Sequence, residues 1–277
     1  MNGFSASDAA LEGFQVLRTH WRLLVGWCVF TILSFVGLVI VAFIAIALAT
    51  LAASSRDQAG ELGGTVGGLV LGLGGAAIQW VVLAALYRAL LRPDETPGAF
   101  YLRIGKAEGR LFGLWLVILA LFLCLVTAGF LGVRWLSRFG GAASGLGALA
   151  VIGLVLWLAI RISLAGPANF ATGRFGLADS WRLTRGRFWA LLGMSLLAGC
   201  LLALIAIVLF IVVAVLQAAI GGFHTLAPVS LSDPQAVAER PGAYVLGLVV
   251  ELAVGPLYLV LSQAPFVAAY RKLSADA

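Results

Sequence analysis

Residues 23–53 read LLVGWCVFTILSFVGLVIVAFIAIALATLAA, thirty-one positions without an Asp, Glu, Lys or Arg. As a helix this stretch would be about 46 Å long at ~1.5 Å per residue. About 20 apolar residues already cross the hydrocarbon of a bilayer. The stretch also lacks the polar face that a helix at the surface of a soluble domain presents to water. It does not alternate apolar and polar residues, as a barrel strand would. The reading is a membrane-spanning helix, which pairs all its backbone groups locally where no water can.

Five more stretches meet the same criterion, at residues 63–91, 111–133, 139–165, 190–220 and 243–269. Several exceed the minimum, so tilting or extension past the headgroups is expected. Composition agrees. Of the 277 residues 62% are hydrophobic and 11% charged, and the mean hydropathy is +1.07. An average soluble domain is about one quarter charged, so a cytosolic globular enzyme is excluded. The predicted fold is all-α: a polytopic membrane protein with six transmembrane helices in one integral domain, 1–277. No segment outside the spans is long enough for a second domain. The longest include 221–242, which carries Pro228, Pro234 and Pro241 and reads as a loop. The first apolar run is too long for a signal-peptide core, so no cleavable leader is expected.

Loop cations set the expected orientation. Fourteen of the 18 Lys and Arg fall in the N-terminal arm, the second and fourth loops and the C-terminal tail. The other four are Arg56, Arg134, Arg138 and Arg240. Both termini are therefore expected in the cytoplasm. The formal net charge of +6 is read as cytoplasmic loops facing anionic lipid, not as a nucleic-acid footprint.

Three cytoplasmic segments ahead of odd-numbered spans read as amphipathic elbow helices lying in the interface. Leu177, Trp181, Thr184, Phe188 and Leu191 share one helical face, with Arg182, Arg185 and Arg187 on its flanks. Aromatic rings entering the acyl boundary and guanidinium groups reaching phosphates are what such a helix requires. The N-terminal arm repeats the spacing with Ala10, Phe14, Leu17, Trp21 and Leu24. The second loop repeats it with Phe100, Ile104, Ala107, Leu111 and Leu114, entered through Thr96 and Pro97. Aligning the faces makes His20, Arg110 and Arg187 equivalent. It outlines three elbow-and-hairpin units, 1–92, 93–166 and 167–277, against the alternative of three independent elbows.

Gly64, Gly68, Gly72 and Ala76 form a smooth ridge on the second span, the kind of surface that lets membrane helices approach closely. Packing inside the bundle is the favoured reading; a homo-oligomer face is the alternative. Glu251 is read as the acidic residue well inside a span, where an ionised carboxylate is costly and often functional. Gln79 is the other intramembrane polar residue, read as packing glue or as part of a polar path. Catalytic sets are missing. There is no G-x-x-x-x-G-K-[ST], H-E-x-x-H or G-x-S-x-G motif, so no enzyme activity is expected. Cys28, Cys124 and Cys200 sit inside apolar runs with neither metal-site nor disulfide spacing. No metal or other cofactor is expected.

Residues 163–192, SLAGPANFATGRFGLADSWRLTRGRFWALL, resemble a motif of a broad group of bacterial six-span proteins. The group includes YciC-like inner-membrane proteins and the membrane domain that precedes the catalytic domain of some glycerophosphoryl diester phosphodiesterases. In it a proline closes one span and an S-W-x-L-T-x-G-x-F-W elbow opens the next. Pro167 and residues 180–189 occupy those positions. The resemblance implies a six-span inner-membrane protein without the hydrolase domain, so phosphodiesterase activity is not carried over. Together these readings predict a non-enzymatic, multi-pass protein of the bacterial inner membrane. Arg182, Arg185, Arg187, Trp181, Trp189 and Arg110 are expected to engage anionic phospholipid headgroups in support of envelope or membrane homeostasis. Two alternatives stand beside it. One is a transporter or lipid-translocating protein with a polar path near Glu251. The other is a membrane assembly subunit, either a homo-oligomer or bound to another membrane protein.

Overall fold

A computed structural model describes residues 6–92, 99–103, 105–221, 239 and 241–275. Its elements are α1 (Ala6–Thr19), α2 (Trp21–Leu51), α3 (Arg56–Leu91), a 3-10 turn (Ala99–Tyr101), α4 (Lys106–Leu136), a 3-10 turn (Ser137–Phe139), α5 (Gly141–Ile162), α6 (Ala165–Thr172), α7 (Leu177–Leu183), α8 (Phe188–Gly221) and α9 (Pro241–Ala275). No strand occurs among the described residues. Six helical stretches are long and apolar enough to cross a membrane: α2, α3, α4, α5 with α6, α8 and α9. They coincide with the six expected from the sequence, and the chain is a multi-pass helical membrane protein. Thr96, Pro97, Ile104, Pro228 and Pro234 lie outside the described residues.

Local chemistry sets the helix ends. The Ser55 hydroxyl caps α3 by accepting from the Gln58 N–H (3.3 Å), and the Gln58 side chain accepts in return from the Ser54 N–H (2.9 Å). The turn joining α4 to α5 ends at Gly140, whose φ of +112° suits a residue without a Cβ.

Three hairpins form the bundle: α2/α3, α4/α5 and α8/α9. On α3 the seam against α2 is Gly63, Gly67 and Gly74, which meet Ile46, Thr50 and Leu38. This corrects the expected packing ridge. Gly64, Gly68 and Gly72 have no neighbour within 4 Å of where a Cβ would stand. Both glycine sets fit a helical repeat. The large side chains of α2 meet only the first, and the second faces outward.

Both buried clusters lie where α1, the C-terminal halves of α3 and α9, the starts of α4 and α8, and α6 and α7 converge. This is the arginine-rich end. Away from it, Leu48, Phe130, Leu146 and Phe210 are exposed, as lipid-facing residues are. There the helices pair mainly within hairpins, for example through the Gln217 amide, which donates to the Ala243 carbonyl (2.9 Å).

The structure revises the second and third elbows. α1 is a helix that buries Ala9, Gly13 and Val16 in the bundle, while Phe14 and Trp21 of the expected lipid-facing side are exposed. It packs along α9 closely enough that a Cβ on Gly13 would lie 3.2 Å from the Leu261 Cα. The second loop does not form the expected helical face from Phe100 to Leu114. Phe100 and Tyr101 have φ of 60° and 62°, and α4 begins only at Lys106. Tertiary bonds explain the break: the Trp27 indole N–H donates to the Phe100 carbonyl (2.9 Å) and the Arg88 guanidinium to the Tyr101 carbonyl (2.7 Å). The third segment is split. α7 stops at Leu183, Gly186 takes φ of +78°, and α8 restarts at Phe188, so Leu177 to Leu191 do not share one helix. Pro167 does not close the fourth span. It sits in the first turn of α6, where its missing N–H has no intrahelical role.

Candidate functional site

The site is built on the α6–α7–α8 corner. Gly173 ends α6 in the left-handed conformation, with its N–H bonded to the Asn169 carbonyl (3.0 Å). The chain turns back, and Gly176 lies directly on the α6 backbone. The buried Ser180 fixes α7 to the break between α5 and α6. Its hydroxyl donates to the Arg161 carbonyl (2.7 Å) and accepts from the Leu164 N–H (3.2 Å). Thr184, also buried, bonds the Arg161 guanidinium (3.4 Å). That guanidinium sits 5.5 Å from the Trp157 ring centre and 5.3 Å from that of Trp181, within cation–π range.

The fixed positions of the S-W-x-L-T-x-G-x-F-W pattern thus have architectural work. Ser180 and Thr184 tie helices together, Trp181 walls Arg161, Leu183 enters the core and Gly186 makes the turn. The three intervening positions are Arg182, Arg185 and Arg187, and they do something else. All three line one pocket of about 520 Å³, together with Thr172, Asp179, Leu183, Tyr270, Leu273 and Ser274. Asp179 touches Arg182 at 3.5 Å. Both are solvent-accessible, and an exposed pair of this kind contributes about 0–1 kcal/mol. Among the described lining residues there are three guanidinium groups and one carboxylate. Arginine forks, with hydroxyl groups alongside, match the oxygens of a phosphate or carboxylate.

The other expected site residues are placed elsewhere. Trp181 contributes to the Arg161 cage, not to the pocket lining. Trp189 is exposed and stacks edge-on with Phe188. His20 and Arg187 each directly precede a long helix, whereas Arg110 lies inside α4, near Gly173. Glu251 is on an exposed face of α9, and no hydrogen bond or ion pair joins it to another described residue. Gln79 lines a separate cavity. No cluster of metal-ligating side chains is present among the described residues.

Sequence reasoning missed three features. Tyr270 shares the arginine pocket, brought there by the last turns of α9. Asn169 is fully buried, with neither amide atom hydrogen-bonded. Arg88 and Glu108 form a buried ion pair joining the end of α3 to the start of α4. The available signal for that pair was a cation inside an apolar run, one turn before the run ends. No family model, curated protein or solved structure matches the chain.

Proposed function

We propose that this is a non-enzymatic multi-pass protein of the bacterial inner membrane, of the YciC-like six-span type. In this reading it binds anionic phospholipid headgroups at its arginine-rich end and so supports membrane or envelope homeostasis. The observation that carries the reading is the convergence of Arg182, Arg185 and Arg187 on one pocket. The excess of loop cations on that side supports a cytoplasmic position for it and for both termini by the positive-inside rule. There the inner leaflet supplies the anionic groups, each basic residue contributing about 1 kcal/mol near such a surface.

Replacing Arg182, Arg185 and Arg187 together with Gln is expected to weaken phosphatidylglycerol and cardiolipin retention by roughly ten- to a hundredfold. Native mass spectrometry of protein released from mixed-lipid nanodiscs reads this directly, with phosphatidylcholine retention unchanged. Competition by inorganic phosphate separates a site for free anion from one that needs the lipid. Equal acidic-lipid retention by the variant and the parent protein rejects the proposal. For the transporter alternative, Gln79 lines a cavity, and Glu251 is exposed on α9 and is not among that cavity's lining residues.

The outward ridge of Gly64, Gly68 and Gly72 favours a second reading, self-association through α3. Such ridges let helix backbones approach closely in lipid. With Cys28, Cys124 and Cys200 replaced by Ala, Gly68→Cys is then expected to form oxidised dimers in membranes, and Gly63→Cys on the α2-facing seam is not. Absence of dimers from Gly68→Cys removes this reading and leaves the lipid-binding one intact.

A further inference from the structure

A cavity of about 380 Å³ opens between α3, α4, the α5–α6 junction and α9. It is separate from the arginine pocket and shares no residue with it. Gln79 and Gln263 each stand twelve residues before the end of their helix, about 18 Å inside the arginine-rich end at ~1.5 Å per residue. Both positions fall in helices long and apolar enough to cross a membrane.

The lining has a definite chemistry. Leu83, Leu111, Leu114, Ile118, Ile162 and Leu259 make an apolar wall. Against it stand Gln79, Gln263, Tyr87, Ser163 and the indoles of Trp80 and Trp115. No Asp, Glu, Lys, Arg or His is among the lining residues. The Tyr87 hydroxyl donates to the Gln263 side-chain oxygen (3.1 Å), which leaves the Gln263 amide nitrogen available. The Gln79 amide and the Trp80 and Trp115 indole N–H groups make no hydrogen bond to another described residue. Gly255 leaves room for Gln79, whose amide nitrogen would lie 3.3 Å from a Cβ there. Amides and indoles without partners are costly at this depth, and acyl tails cannot satisfy them.

We propose that this cavity binds an uncharged amphiphile. A carbonyl or hydroxyl oxygen of the ligand accepts from the Gln79 and Gln263 amides, and its apolar chain lies along the leucine wall. A phosphate or carboxylate head is excluded, because no cation stands among the described lining residues to offset its desolvation. Two membrane components share this chemistry, a neutral glyceride and an isoprenoid quinone. The inference rests on the membrane-spanning fold and not on anion binding at the arginine pocket.

The test uses the full chain in phosphatidylcholine nanodiscs, titrated separately with dioleoylglycerol and with menaquinone-4. Binding is read by native mass spectrometry and by the change in tryptophan fluorescence. One of the two is expected to bind saturably at one per chain, which identifies the source, and dioleoylphosphatidylglycerol is not expected to displace it. Ile118→Trp, which fills the cavity, is expected to abolish binding. Gln79→Leu removes an amide that bonds no other described residue, so the fold is retained and affinity falls about fivefold, the value of one hydrogen bond. The Arg182/Arg185/Arg187→Gln protein is expected to bind the neutral ligand as the parent does. No saturable binding of either probe, or binding indifferent to both Ile118→Trp and Gln79→Leu, overturns the proposal.

Discussion

Glu108→Ala is expected to cost the protein about 3–5 kcal/mol of stability, the range found when one partner of a buried ion pair is removed. The side chains of Arg88 and Glu108 are only 8% and 7% exposed, so removing the carboxylate takes away a charge that offsets the desolvation of the guanidinium. Arg88 also donates to the Tyr101 carbonyl, so the loss extends to the turn that fixes the start of α4. The pair itself is a different matter. Charges taken out of water recover their desolvation penalty only in good geometry, and apolar substitutes of similar volume are often neutral or better. Arg88→Met with Glu108→Leu should therefore recover most of what Glu108→Ala loses. Unfolding in detergent, followed by circular dichroism, compares the three proteins. Parental stability in Glu108→Ala would show that Arg88 is solvated without its partner.

The second large effect is expected at Gly176. Its backbone is ordinary, with φ of −74°, so conformational freedom is not what this position requires. Space is. A Cβ there would lie 2.5 Å from the Asn169 nitrogen and 2.6 Å from the Ala165 oxygen, both backbone atoms of α6 that cannot swing aside. Gly176→Ala should destabilise by at least the ~1–3 kcal/mol typical of overpacking. It should also push α7 off α6 and disperse Arg182 and Arg185, so anionic-lipid retention falls with stability. Gly193→Ala is the control. Nothing lies within 4 Å of a Cβ at Gly193 in α8, and relief of glycine's entropic cost should leave that protein about 0.5–1 kcal/mol more stable. Equal stability of the two variants would show that the α6–α7 contact has slack.

The spans were legible because length and apolarity are local properties. Residues 23–53 could be nothing else in water or lipid, and α2 covers nearly the same ground. What was not legible is what distant residues decide. The helical pattern from Phe100 to Leu114 is present in the sequence, yet Trp27 and Arg88 capture two carbonyls there and hold the chain out of a helix. Two glycine rows on α3 have similar spacing, and only Ile46, Thr50 and Leu38 of α2 determine which is the seam. The three arginines were identifiable as a flank, but their meeting point depends on Tyr270 and Ser274 arriving from the far end of the chain. The break of the third elbow at Gly186, where φ is positive, was likewise not marked by the apolar spacing from Leu177 to Leu191.

The buried clusters gather at one end of the molecule, while the opposite ends of the hairpins present long aliphatic side chains outward. Such a body resembles a tripod hinged at its head. Each leg can lean without disturbing the joint, because little side-chain packing has to be rebuilt when it does. A change in bilayer thickness is then absorbed by altered tilt of the legs. The arginine pocket lies at that head, where the buried clusters hold the helices together.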